Sequence, residues 1–178
     1  MRWTWVAMAL GLVIATGALG SIDRETQSRK AMDTTTSDIQ VNPIGKVSSR
    51  QDDKARIDIR PEVAQALKGL EGFSHVWVIF WFHEHDSPEQ RAILQVHPRR
   101  DPANPLTGVF ATRAPVRPNL IGLTCCRIVG VKGNILEVEG LDAREGSPVL
   151  DLKPYIPGSD ARPDATVPGW VEKRGKEN

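Results

Sequence analysis

Short apolar runs separated by turn residues fill the chain between residues 39 and 157, and most have the two-residue period of a β-strand. The run at residues 75–83 is the most apolar. Its β-branched and aromatic side chains occupy both alternating positions, which predicts a central strand covered on both faces. Residues 55–59 alternate between apolar and charged side chains, which predicts a half-buried strand. Further strands are predicted at residues 39–47, 93–96, 108–112, 121–131, 135–138 and 148–153.

One segment between the strands has the signals of a helix. Pro61 suits the first helical position, Glu62 favours the positive end of the helix dipole, and Gly69 ends the segment. Polar turns are predicted at residues 48–54 and at residues 132–134, where Lys-Gly-Asn suits a hairpin. Strands and helices do not alternate, and no glycine-rich turn joins a strand to a helix. The pattern therefore predicts a mainly β protein, a single antiparallel β-barrel of about seven strands with one short flanking helix.

Composition and charge fit a single globular domain. The chain has 178 residues, of which 40% are hydrophobic and 25% are charged, an ordinary balance for a domain with its own hydrophobic core. The predicted barrel domain spans residues 39–157, and residues 158–178 are predicted to form an irregular tail. A formal net charge of +1 excludes a strong overall basic field, so any binding of RNA has to use a local basic patch.

The first 20 residues differ from the rest of the chain. Arg2 precedes a long apolar run, and small residues lie before Ser21, which is the pattern of a secretory signal peptide. The same segment also suits an uncleaved membrane anchor. Residues 21–38 are polar and charged, which predicts a disordered linker. Met32 would be a sensible first residue of a cytosolic protein, so residues 1–31 are either an export signal or an extension upstream of the true start.

The two cysteines of the chain are adjacent, at Cys125 and Cys126. Neighbouring side chains of a strand point to opposite faces, so these two are poorly placed to form a disulfide with each other. The sequence also has no CxxC pair of the kind that binds structural zinc. Both are therefore predicted to be small, buried or half-buried packing residues.

The loop between the predicted strands 108–112 and 121–131 is the first candidate for chemistry. It reads RAPVRPN, and its two prolines favour a stiff, extended backbone. Arg113 and Arg117 offer guanidinium groups that suit a carboxylate, a phosphate or an aromatic face, and the Asn119 amide both donates and accepts hydrogen bonds. The same pattern is typical of an ordinary turn whose arginines are solvated.

Other polar residues lie where predicted strands end. His-Glu-His occupies residues 83–85, and His97 ends the next strand. Three histidines and a glutamate can hold a metal, but their spacing has no further metal-site signature, so no metal is predicted. Residues 142–149 form a charged loop before the last strand. Tyr155, the only tyrosine, has a hydroxyl that suits either the mouth of a pocket or half-buried packing.

Four blocks of sequence occur in an order typical of one known family. GVFATRAPVRPNLIG at residues 108–122 resembles the signature of the TsaA-like (TrmO) family, whose usual form ends in RPNPIG; here Leu120 replaces the second proline. The other blocks are LKGLEGFSHVWVIFWFH at residues 67–83, VHPRRDPANPLTGVFATR at residues 96–113 and GLDAREGSPVLDLKPYIP at residues 140–157. The resemblance extends over residues 41–157, and four ordered blocks are far more specific than one short motif.

The resemblance implies a β-barrel that binds S-adenosyl-L-methionine and methylates the exocyclic nitrogen of threonylcarbamoyl-adenosine in tRNA. It places eight residues in the cofactor pocket: His83, Glu84, Arg113, Leu123, Asp142, Ala143, Arg144 and Glu145. Arg117 and Asn119 would hold the loop or face the methyl acceptor, and Tyr155 is a further candidate for that role. The resemblance also implies a homodimer and a cytoplasmic location, with membrane contact only if residues 1–20 remain as an anchor.

Besides Leu120, two positions depart from the family pattern. The usual His-Gln pair is His83-Glu84 in this chain, which changes an amide to a carboxylate. A Pro-Arg-Gln motif after the first strand is reduced to Arg50-Gln51 within a shortened loop. Longer members of the family also carry a C-terminal domain linked to tRNA recognition.

The chain has no GxSxG motif, no reactive-cysteine context and no pair of carboxylates spaced for acid–base work. A reaction that depends on binding and alignment, such as methyl transfer from S-adenosyl-L-methionine, leaves this kind of sequence. The alternative is a non-catalytic barrel that binds a small molecule or a protein partner. The signal-like start favours export for such a module, and the unpaired cysteines oppose it.

Overall fold

The computed structural model describes residues 40–172, and the predictions made for residues 1–39 and 173–178 lie outside the described residues. The strands are β1 (Gly45–Gln51), β2 (Lys54–Ile59), β3 (His75–Trp81), β4 (Gln95–Val96), β5 (Thr107–Gly108), β6 (Ile121–Lys132), β7 (Ile135–Glu139) and β8 (Pro148–Pro154). Six of them form a closed barrel in the order β1-β2-β7-β6-β3-β8, while β4 and β5 pair separately. Every strand pair is antiparallel. The predicted mainly β barrel is confirmed, with six strands in place of about seven.

The contact between β1 and β8 closes the barrel. It is short, because only Gly45 and Lys46 pair with Val149 and Pro148. Gly45 also lies against β2 so closely that a Cβ atom there would stand 2.4 Å from the backbone oxygen of Asp58. Only glycine lets the backbones approach to this distance, so Gly45 is a requirement of the pairing of β1 with β2.

The inward face of β3 lies in the centre of the core. Val76 and Val78 are completely buried and Phe80 is 2% exposed, whereas the alternate residues of β3 are half-buried. The prediction that both faces of this strand are covered was therefore only partly right. Tyr155 packs on the outer-face residue Trp77 and Arg91 lies over Trp81, and this covering leaves the outer face half-buried.

The hairpin of β1 and β2 is longer than predicted. The polar turn expected at residues 48–54 is only Asp52 and Asp53, because β1 continues to Gln51 and β2 begins at Lys54. Strand β1 also begins later than expected, at Gly45. The end of the hairpin is exposed on both faces, so its residues are polar and lack the alternation that marks a half-buried strand.

The strand predicted at residues 108–112 is largely absent. β5 ends at Gly108, and Val109–Ala111 form a turn of 3₁₀ helix in which Phe110 is 80% exposed. Only Val109 is buried. Because the chain turns into this helix directly after Gly108, the ladder has only the pairs Gln95–Gly108 and Val96–Thr107, and the strand predicted at residues 93–96 is reduced to Gln95–Val96.

The helices within residues 40–172 are all short. The predicted helix after Pro61 is a 3₁₀ helix, Pro61–Leu67, rather than an α-helix. Three α-helical turns were not predicted: Pro88–Arg91, Pro157–Asp160 and Gly169–Glu172. Further 3₁₀ turns occur at Leu70–Gly72, His83–His85 and Pro98–Arg100. Within residues 40–172 no helix is long and apolar enough to cross a membrane.

The segment after β8 is more ordered than the predicted irregular tail. Trp77 on the outer face of β3 donates from its indole nitrogen to Asp160 Oδ2 at 3.1 Å. Hydrogen bonds from the backbone of Ile156 and from Trp77 lower the pKa of Asp160 below its ordinary value. The turn Pro157–Asp160 is therefore attached to the barrel wall.

The cysteines lie as predicted on opposite faces of β6. Cys126 is buried in the core, Cys125 is half-buried, and both are free thiols. Burial raises the pKa of Cys126 to about 12, so its thiol stays protonated near neutral pH. The thiolate is the reactive form, so Cys126 acts as a packing residue.

Candidate functional site

A cleft opens at the end of the barrel where β3 ends and β6 begins. One part of it, with a volume of about 140 Å³, is formed by the first residues of β6 and by Arg117. We call it the β6 side. A second part of about 260 Å³, the His83 side, is formed by the segment His83–His85 and by Arg144 and Ser147. Both parts share four residues: Phe80, Phe82, Arg113 and Asp142. Each part is small for a ligand site, but their shared walls make them neighbouring halves of one cleft.

Aromatic rings form the apolar wall of the cleft. Phe80 and Phe82 meet edge to face, with ring centroids 5.2 Å apart. The Phe80 ring lies directly on Gly122 of β6, where a Cβ atom would stand 2.4 Å from Phe80 Cζ. Gly122 therefore makes room for the ring that supports the cleft.

The loop at residues 113–119 places both of its arginines at the cleft. Arg113 is exposed, touches both parts of the cleft, and makes no side-chain hydrogen bond or ion pair with any residue between 40 and 172. Arg117 donates to the backbone oxygen of Val109 at 3.4 Å, a long contact that ties the loop to the turn before it. Asn119 does not border the cleft, and its backbone oxygen accepts from the Ile121 amide at 2.8 Å. Arg113 is thus the arginine of this loop that is available to a ligand.

A cluster on the outer face of β3 anchors the same loop, and sequence reasoning missed it. Arg91 stacks on Trp81, with the guanidinium carbon 5.2 Å from the ring centroid. It donates to Asp86 Oδ1 at 2.8 Å and to the backbone oxygen of Pro118 at 3.0 Å. Hydrogen bonds from Arg91 and then Trp81 lower the pKa of Asp86 below its ordinary value. Arg91 therefore links the barrel to the loop that carries Arg113.

Replacing Arg91 with alanine is expected to increase backbone amide exchange in residues 113–121 by about tenfold, because a charged donor to Pro118 is lost. Hydrogen-exchange mass spectrometry measures this. Arg56→Ala is the matched control, since Arg56 also donates from Nε to an aspartate, Asp58, at 3.0 Å, but lies on β2. Equal exchange in the two variants would show that Arg91 does not anchor the loop.

The His83 side joins two segments that are distant in the sequence. Ser147, which is 2% exposed, has its hydroxyl 3.2 Å from His83 Nδ1. Glu84 pairs with Arg144 at 2.9 Å across the same gap. Arg144 and Glu84 side chains are 71% and 43% exposed, so this ion pair contributes little stability. The buried Ser147 contact is the one that orients the His83 ring.

The residues of the loop predicted to border the pocket, residues 142–145, lie in three different surroundings. Asp142 contributes to both parts of the cleft and Arg144 to the His83 side. Ala143 is buried, and its backbone oxygen accepts from Arg50 at 3.0 Å. Glu145 borders neither part. Arg50, the remnant of the shortened motif, therefore supports the loop from β1.

A further arginine of the cleft was not singled out from the sequence. Arg100 borders the His83 side and projects from the loop after β4. That loop is held by His97, whose Nδ1 lies 2.8 Å from the backbone oxygen of Asn104, and by Asn104, which donates to the backbone oxygen of Pro98 at 3.0 Å. The only available signal was the block VHPRRDPANP, which is part of the family resemblance but does not distinguish Arg100 from its neighbours.

Leu123 borders the cleft on its β6 side. Tyr155 does not, because it packs on His75 and Trp77 near the start of β3. His97 is engaged in its own loop, away from the segment His83–His85. Among residues 40–172 no three His, Cys, Asp or Glu side chains come together as a metal site would require.

Sequence comparison matches residues 33–161 to the tRNA-methyltransferase O N-terminal domain family. The chain belongs to this family. The match includes the whole barrel and every residue that forms the cleft, so the family resemblance inferred from the four sequence blocks is confirmed.

Relatives of the chain occur in archaea and in mammals. A protein of Methanothermobacter thermautotrophicus named a probable S-adenosyl-L-methionine-binding protein is 40% identical over 137 residues, 70% of this chain and 95% of its own. A protein of the same description from Pyrococcus abyssi is 38% identical over 128 residues, 72% of this chain and 66% of its own. A mouse tRNA (adenine(37)-N6)-methyltransferase is 43% identical over 114 residues, 64% of this chain and 26% of its own.

Crystal structures of the family share the fold. TrmO from Pseudomonas aeruginosa superposes with a TM-score of 0.56 at 33% identity, covering 72% of this chain and 59% of that one. Another TrmO structure gives a TM-score of 0.58 at 37% identity, covering 72% and 62%. The chain therefore spans about three fifths of the length of these solved TrmO proteins.

Proposed function

We propose that the barrel binds S-adenosyl-L-methionine in the cleft and transfers its methyl group to the exocyclic nitrogen of adenosine 37 in tRNA, with threonylcarbamoyl-adenosine as the acceptor. The main observation that supports the proposal is that Arg113, Asp142 and Phe82 border both parts of one cleft. The descriptions of the archaeal and mouse relatives as a cofactor-binding protein and a tRNA adenine methyltransferase support it.

The charges and rings of the cleft fit this cofactor. The cofactor has a carboxylate, an ammonium group, a positively charged sulfonium and a planar base. Arg113 offers a guanidinium for the carboxylate, and Asp142 offers a carboxylate for the ammonium. Phe82 offers an aromatic face, which attracts cations and stacks with planar rings. Leu123, which is 47% exposed at the β6 side, adds apolar contact.

Catalysis on this proposal depends on alignment more than on acid–base groups. The bound cofactor supplies an electrophilic methyl group, so the protein has to orient the acceptor and exclude water. Phe80 and Phe82 provide the dry wall for this. When His83 Nδ1 carries a proton and donates to Ser147, Nε2 is left as an acceptor beside the cleft. His83 Nε2 is then the atom that receives the proton of the methylated nitrogen.

We further propose that the protein forms a homodimer and acts in the cytoplasm. Exposed apolar residues on β6, Ile121 at 43% and Val129 at 41%, support a contact with another chain. Light scattering after size exclusion tests the dimer. Cell fractionation and sequencing of the mature N-terminus test the location and decide between the two interpretations of residues 1–31.

Two measurements test the proposed function. Calorimetry is expected to give a dissociation constant for S-adenosyl-L-methionine well below about 1 mM, where the binding free energy is only about −4 kcal/mol. Mass spectrometry of tRNA incubated with protein and cofactor is expected to show one methyl group added to threonylcarbamoyl-adenosine. Cofactor binding without methyl transfer to the tRNA would favour the non-catalytic barrel. A dissociation constant for the cofactor above about 1 mM would count against both cofactor binding and methyl transfer.

A further inference from the structure

The cleft has more guanidinium groups than its cofactor requires. Four arginines border it: Arg100, Arg113, Arg117 and Arg144. Arg117 donates to a backbone oxygen and Arg144 is paired with Glu84. Within the part of the chain that the structure describes, the side chains of Arg100 and Arg113 have no such partner. The acidic residues that border the cleft are Glu84 and Asp142, so its arginines outnumber its carboxylates although the whole chain has a net charge of only +1.

The backbone fixes Arg100 at the mouth of the cleft. Arg99 and Arg100 are both in the left-handed region, with φ of 62° and 59°, a conformation that costs free energy for residues other than glycine. The buried Asn104 amide and its bond to Pro98 keep the loop in this form. The two arginines point to different surroundings, because Arg99 donates to the backbone oxygen of Val171 at 3.2 Å while Arg100 borders the His83 side.

We propose that Arg100 is a specificity-determining residue that binds the carboxylate of the acceptor's threonylcarbamoyl group. The proposal rests on the proposed function. The cofactor has one carboxylate, which Arg113 binds on the proposed function. The unpaired guanidinium of Arg100 is then available for a carboxylate of the acceptor. In threonylcarbamoyl-adenosine that group lies a few bonds from the nitrogen that receives the methyl group. A guanidinium binds a carboxylate through two parallel hydrogen bonds, which gives both energy and orientation.

A carboxylate fits this position better than an RNA phosphate. Phosphates of a nucleic acid backbone are bound by rows of basic residues along an outer surface. Arg100 instead lies in the cleft together with His83 and Phe82. Its neighbour Arg99, which faces outward, is held by Val171 and does not extend a row.

Methyl transfer to two anticodon stem–loop RNAs tests the proposal with the full chain. One RNA carries threonylcarbamoyl-adenosine and the other its methyl ester, so both have the same phosphates and differ by one carboxylate. The kcat/KM of the unaltered protein is expected to be at least about tenfold higher on the acid than on the ester. Arg100→Ala is expected to lower kcat/KM on the acid more than kcat/KM on the ester, so that the ratio of the two values falls to about one. Arg100→Lys should restore part of the preference.

Arg99→Ala is the matched control, because it removes a neighbouring arginine with nearly the same backbone conformation. It should keep the preference for the acid, and calorimetry should give the same cofactor affinity for all variants. An equal loss on both RNAs in Arg100→Ala would overturn the proposal in favour of a phosphate contact. If the unaltered protein methylated both RNAs at equal rates, the role of Arg100 would be overturned and the proposed function would stand. If it methylated neither RNA, the proposed function would be overturned together with the role of Arg100.

Discussion

Replacing Arg113 with alanine is expected to weaken S-adenosyl-L-methionine binding by about 100-fold. A bidentate guanidinium–carboxylate contact contributes about 2–3 kcal/mol, and each 1.4 kcal/mol changes the dissociation constant tenfold. The fold should be unaffected, because Arg113 is exposed and its side chain has no partner within residues 40–172. Calorimetry gives the affinity, and the thermal midpoint of the unliganded protein checks the fold.

Two variants make this result specific. Arg162→Ala removes an exposed arginine that lies beyond β8 and borders neither part of the cleft, so it should leave cofactor affinity unchanged. Arg113→Lys keeps the charge and loses the planar fork, so its affinity should fall between those of the unaltered protein and Arg113→Ala. If Arg113→Ala bound as tightly as Arg162→Ala, the cofactor would have to lie elsewhere.

Phe80→Ala is expected to lower the free energy of unfolding by about 3–5 kcal/mol. Phe80 is 2% exposed, packs edge to face on Phe82 and lies on Gly122, so its removal leaves a cavity that the barrel wall cannot close. For a protein of this size the thermal midpoint should fall by roughly 6–20 °C. Chemical denaturation measures the free energy directly.

Phe110→Ala is the control for this prediction, because Phe110 is 80% exposed. Its effect should stay within about 0.5 kcal/mol, as for surface substitutions in general. The same loss of stability in both variants would mean that Phe80 is not a core residue. Phe80→Leu keeps most of the buried volume, which allows cofactor binding to be measured in a stable variant.

Several elements were predictable because their signals are local. Each of these signals depends on residues that are close together in the sequence. They are the alternation around β2, the Lys-Gly-Asn turn between β6 and β7, and the helix start at Pro61. The register of β6 on β7 shifts between Ile128 and Gly130, where glycine suits the irregular backbone of a β-bulge. The strand expected at residues 108–112 failed because the chain turns into a 3₁₀ helix directly after Gly108, which the local sequence does not reveal.

The candidate site was predictable only in part. Arg113 and Asp142 were found through the family motif and do border one cleft. Arg91 and Arg100 were missed because nothing in their own neighbourhoods distinguishes them from solvated arginines. Tyr155 was proposed because it is the only tyrosine, yet it packs at the opposite end of β3 from Phe80. Whether a side chain borders the cleft depends on which end of its strand it lies at in the folded barrel. The residue type alone does not specify this position.

The amino-acid sequence by itself determined the order of the barrel strands along the chain, the inward face of β2 and the family to which the chain belongs, since each depends on local periodicity or on ordered motifs. Tertiary structure alone decided the closure of β1 on β8 and the composition of the cleft. The contacts that build it join residues far apart, such as Arg50 and Ala143, 93 positions apart, and His83 and Ser147, 64 apart. Such pairs form only after the closed barrel has brought its loops together, because no local preference favours them.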